Sequence, residues 1–92
     1  MKKSNDRRAP LSSAQIRAAR ALLRWSAEDL ARASMVGLTT IRRAELTEDG
    51  TSMTAANDSS IRWALEDAGV EFIDENGGGP GVRLKKSLRK RT

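Results

Sequence analysis

The chain has 92 residues and a net charge of +5, with 17 lysines and arginines against 12 acids and no cysteine, histidine or tyrosine. That length supports one modest core, and the missing residue types exclude disulfides, thiolate chemistry and imidazole ligands. A metal site would have to be all carboxylate, no spacing suggests one, and neither an enzyme nor a cofactor is expected.

Residues 1–10 carry Lys2, Lys3, Arg7 and Arg8 against Asp6, show no apolar periodicity and end in Pro10. They read as a disordered basic arm. Leu11 to Leu23 reads as a first helix, capped by Ser12 or Ser13, with Ile16, Ala19 or Arg20, Leu22 and Leu23 as its inward stripe and Arg17 and Arg24 facing solvent. A charge at Arg20, so close to the apolar stripe, needs either a partner or room for its stem along the surface. Trp25 sits at the corner after this helix and is expected to cover the helix ends as core.

Ser26 to Glu45, SAEDLARASMVGLTTIRRAE, reads as helix, three-residue turn, helix. Ser26 is a good N-cap, and Asp29 three residues on gives a short-acid version of the capping box. Leu30, Ala31 and Ser34 share one face of the first of these helices. After Met35, Val36 and Gly37 the second starts near Leu38. It turns Ile41, Ala44 and Leu38 inward and leaves Thr39, Thr40, Arg42 and Arg43 for water or a ligand. So small a unit cannot bury both apolar faces alone, and the flanking segments must cover it.

The pattern Leu30-Ala31, Ser34, Val36, Thr40-Ile41, Ala44-Glu45 resembles the helix-turn-helix of the Xre and phage-repressor family of DNA-binding regulators. The resemblance runs from about Leu11 to Ala68. It implies a lambda-repressor-like core of four helices whose second motif helix lies in the major groove. Carried over by position, Thr39 and Arg43 would be the main base readers, with Thr40, Leu38 and Arg42 beside them. Ser26 and Gly37 would meet phosphates, and Arg20 with Glu45 would form a partly buried salt bridge. The chain departs from the family at three places. Ala27 stands where a phosphate-contacting Gln is usual, and Gly37 where a Ser or Thr cap is usual. Met35 stands where the turn usually has a positive-φ Gly, at a cost on the order of 1 kcal/mol unless the turn is shifted by two places onto Gly37.

Residues 46–53 read as a loop, in which Glu48 and Asp49 oppose close approach to DNA. A fourth helix follows from Thr54 or Asn57 to Ala68, closed by Gly69, with Ile61, Ala64, Leu65 and Ala68 inward. Asp58 falls on its core side, so the first turn is expected to fray or start late. Trp63 falls on the opposite face and needs another surface, either the following segment or a second subunit.

Val70, Phe72, Val82 and Leu84 alternate with polar or glycine positions and predict a β-hairpin over 70–84, turning at Asn76 to Gly81. The GGGPG run lacks the lysine, the Ser/Thr and the helix of a phosphate loop. A lone hairpin is marginal, so it must dock on the helices or pair with its copy in another chain. Trp63, Phe72 and Ile73 are the candidate dimer surface. Residues 85–92 read as a second disordered basic tail.

The expected architecture is mainly α: a basic arm (1–10), a four-helix helix-turn-helix domain (11–69), an appended C-terminal β-hairpin (70–84) and a basic tail (85–92). Seven arginines face eleven acids in 11–82, so the excess positive charge lies in the arms. Lys2, Lys3, Arg7, Arg8, Lys85 and Lys86 are therefore expected at phosphates. The expected function is sequence-specific binding of double-stranded DNA by a homodimer on a palindromic operator, as a bacterial or phage repressor. The rivals are a protein-binding module, such as an anti-regulator or antitoxin, and a non-specific nucleic-acid coat. No apolar run approaches the roughly 20 residues that span a bilayer and no signal-peptide core is seen, so a cytoplasmic location with no membrane partner is expected.

Overall fold

The structure, a computed structural model, describes residues 9–47 and 53–86. It contains four helices, α1 (Ser13–Leu23), α2 (Ala27–Ser34), α3 (Leu38–Leu46) and α4 (Ala55–Asp67), then strands β1 (Val70–Ile73) and β2 (Gly81–Leu84). Polar residues at the helix starts set three of these boundaries. Ser12 and Gln15 form a complete capping box on α1, Ser26 and Asp29 form one on α2, and the Thr54 hydroxyl accepts from the Asn57 amide at the start of α4. Leu46, expected in a loop, is the last residue of α3.

α1 and α2 both end in a left-handed residue that is not glycine, Arg24 at φ 58° and Met35 at φ 61°. The positive φ of the helix-turn-helix turn therefore sits on Met35. Gly37, at φ −60°, is the extended N-cap of α3, so the two-place shift did not occur. The turn is stitched by Ser34, whose hydroxyl donates to the Leu30 carbonyl at 2.7 Å and accepts from the Val36 amide at 3.2 Å. That bond fixes the entry to α3 while Met35 stands exposed.

Each element gives one apolar face to a single core: Leu11, Ile16 and Ala19, Leu30 and Val36, Ile41 and Ala44, Ile61 and Leu65, and Val70. Leu23, Trp25, Leu38, Ala64, Phe72 and Val82 pack against it. Leu22, expected inward, is 39 % exposed; at 100° per residue it lies about 120° round the helix from Ile16, off the buried stripe.

The hairpin is antiparallel, with Val70 opposite Leu84 and Phe72 opposite Val82, and it docks within its own chain, β1 on α4 and β2 on α1. The Gln15 side chain bonds the Gly81 carbonyl. Phe72, named above as dimer surface, is turned to its own chain: its ring centroid is 5.5 Å from the guanidinium carbon of Arg62.

Asp58 does not fray α4. Its carboxylate accepts from the Leu11 amide at 2.9 Å, and Arg62 one turn later donates to the Ala9 carbonyl at 2.7 Å. Core-side polar residues on α4 thus clip the chain just before α1. Ala9, assigned above to the disordered arm, is held by that bond. Lys85, assigned to the tail, is also held, its amide donating to the Gly69 carbonyl at 2.7 Å. Among the described residues no helix is long and apolar enough to cross a membrane.

Candidate nucleic-acid interface

α3 is held rigidly from behind. Ile41 and Ala44 are fully buried, and Glu45 is only 8 % exposed at the helix end. The Arg20 guanidinium meets the Glu45 carboxylate with two parallel bonds, Nε to Oε2 at 2.7 Å and Nη2 to Oε1 at 2.8 Å. Its third nitrogen donates to the Trp25 carbonyl at 2.9 Å. The hydrogen bond to Glu45 raises the Arg20 pKa above its ordinary value. Fork-to-fork pairing fixes direction as well as distance, so one side chain sets α3 against both α1 and the α1–α2 corner.

A second arginine, expected to face only solvent, adds to this brace. Arg17 donates to the Glu45 carbonyl at 2.7 Å, satisfying one of the free carbonyls in the last turn of α3 and placing positive charge at its negative end. Only the i, i+3 spacing of Arg17 and Arg20 on α1 could have hinted at it.

On the outer side Thr39, Arg42 and Arg43 are exposed, whereas Thr40 and Leu38 are half-buried. Leu38 packs on the core. Thr40 and Arg43 line a hollow of about 180 Å³ with Thr54 and Asn57 from the start of α4. Arg42 reaches across to α2, its Nη2 3.1 Å from Glu28 Oε2. Arg43 makes no ion pair among the described residues. The pair on Arg42 is more than half exposed on the arginine side, so it is weak and exchangeable.

The start of α3 has no side-chain cap among the described residues. Its first-turn amides at Leu38, Thr39 and Thr40 therefore face outward without a side-chain acceptor, behind Gly37. Ser26 is exposed but occupied: its hydroxyl accepts from the Asp29 amide while its own amide donates to the Asp29 carboxylate. The amide of Ser26 holds the Asp29 carboxyl below the usual carboxylate range.

Not all expected contacts converge on this face. Lys85 lies beside Trp63, Glu66 and Asp67, toward the C-terminal end of α4. Arg43 and Thr40 lie beside its N-terminal end, most of a helix length away, about 20 Å for α4. Lys86 is exposed. Lys2, Lys3, Arg7 and Arg8 lie outside the described residues. Arg62, which the sequence reading did not single out, is fully buried, and its Nε and Nη1 have no hydrogen-bond partner among the described residues.

The chain matches no protein-family model and no curated protein.

Proposed function

We propose that this protein is a sequence-specific binder of double-stranded DNA, a transcriptional regulator of the Xre and phage-repressor kind. It works as a homodimer that inserts α3 into successive major grooves of a roughly palindromic operator. The observation that carries the reading is the bracing of α3. The helix is fixed through Glu45 by two arginines, its outer side offers Thr39 and Arg43, and its N-terminal amides have no side-chain cap among the described residues. Such a helix can approach a phosphate with its first turn and base edges with the residues that follow. In this reading Arg43 meets a guanine by two bonds and Thr39 a neighbouring base. Repression by occlusion of polymerase in a bacterial or phage-infected cytoplasm is the simplest use of such a helix on an operator.

A second reading is a protein-binding module on the same fold, an anti-regulator or antitoxin. The 76 % exposure of Trp63 and the pairing of Arg42 with Glu28 favour it. Selection of bound fragments from a random DNA pool at physiological salt separates the two. An enriched palindrome supports the regulator; salt-sensitive binding without enrichment removes it and turns the search to a protein partner.

A further inference from the structure

Helix α4 turns one large apolar side chain away from the core. Trp63 is 76 % exposed at mid-helix, and an indole carries enough apolar area that it is seldom left in water without a surface to cover. Beside it an open groove of about 460 Å³ runs between α2 and α4, lined by small side chains, Ala33 and Ser34 on one wall and Ser60 and Ala64 on the other. Asp67 also lines the groove and, with Glu66 and Lys85, a second hollow of about 230 Å³ that the indole borders as well. One face therefore presents a bulky knob, a hole between small residues, two acids and a base.

We propose that this face is where the chain associates with itself: a second copy docks about a two-fold axis, each Trp63 seated in the other copy's α2–α4 groove. The argument is self-complementarity. When knob and hole lie on the same patch, a two-fold fills both holes and covers both knobs at once, because every contact is made twice. Charge obeys the same rule. Lys85 of each copy can meet the acidic side of the other, Glu66 and Asp67, across the axis, so that each base faces acids in the docked pair. Area sets the strength. Two indoles bury roughly 150–250 Å² each, a fraction of the roughly 1,600 Å² of a standard interface. The dimer is accordingly weak and concentration-dependent.

The inference rests on the homodimer reading for its use on DNA, but association itself is read without DNA. The test is sedimentation of the full chain across the micromolar range, with Trp63→Ala removing the knob and Ala33→Arg blocking the hole while the knob stays. Wild type is expected to dimerise, with its indole emission moving to the blue. Each variant should weaken association at least tenfold, with far-ultraviolet circular dichroism unchanged. A wild type that stays monomeric throughout, or two variants that dimerise as wild type does, overturns the proposal. The outcomes separate it from the DNA reading: a dimer that selects no sequence keeps this surface and removes the regulator, whereas a monomer that selects one does the reverse.

Discussion

Two arginines leave the same core in different ways. Arg20 spends all three of its nitrogens, two on Glu45 and one on the Trp25 carbonyl. Arg62 is more deeply buried yet places one nitrogen on the Ala9 carbonyl, stands 3.9 Å from Asp58 and leaves two nitrogens without a partner among the described residues. A charge removed from water is repaid only by good geometry and full hydrogen bonding. By that measure the Arg20 pair is a brace for α3, and Arg62 is a tether compensated less fully, by one hydrogen bond and the face of the Phe72 ring. The helix proposed to read DNA is thus the better fixed of the two regions, as a reading surface requires.

Breaking the brace should give the largest effect. Glu45→Ala leaves Arg20 facing an apolar end of α3 and is expected to cost about 2–4 kcal/mol in urea unfolding, below the fully buried case because Arg20 keeps 23 % of its side-chain surface in water. The clip on α4 should divide unequally. Asp58→Ala orphans the Leu11 amide and is expected to cost about 1–3 kcal/mol, whereas Arg62→Met removes an underused charge and should stay within about 1 kcal/mol of wild type. A loss at Arg62 as large as that at Glu45 would show that the tether is as well compensated as the brace.

The turn offers a smaller test of opposite sign. Met35 holds a left-handed φ of 61° with its side chain in water. Met35→Gly should therefore raise stability by up to about 1 kcal/mol, the relief of left-handed strain less the added freedom of the unfolded chain. The exposed ties should matter least. Bonds to the Ser26 amide and to Arg83 hold Asp29 and Glu71, respectively, below the usual carboxylate range. Their contribution is complete above the unfolded value, near pH 4, and is lost as pH falls through the lower folded values. Acid titration of Asp29→Ala and Glu71→Gln should show a shallower decline below that pH than wild type.

The sequence was most legible where one residue type has one local use. Ser26 marked its helix start, Ser12 or Ser13 and Thr54 or Asn57 bracketed two others, the alternation of Val70, Phe72, Val82 and Leu84 marked the hairpin, and Arg20 with Glu45 could be paired through the family resemblance. It was least legible where polar groups serve the chain at long range. Asp58 looked like a defect because its partner amide lies 47 residues away, and Arg62 passed unnoticed because its partner is a backbone carbonyl 53 residues away. Arg17 was assigned to solvent for the same reason, since no periodicity reveals a carbonyl at the end of another helix. At the candidate interface Thr39, Arg42 and Arg43 were legible as outward from helical spacing, but the half-burial of Thr40 against the start of α4, the tie of Arg42 to Glu28 and the placement of Lys85 at the far end of α4 depend on packing.

The measurement that tests the central claim most directly is the affinity of wild type and Arg43→Ala for a selected site and for a scrambled duplex, each over a series of salt concentrations. A base reader predicts a loss of about 1–3 kcal/mol on the selected site, almost none on the scrambled one, and an unchanged salt slope. Equal losses on both duplexes with a slope reduced by about one would make Arg43 a phosphate contact and contradict the assignment of α3 as the reader.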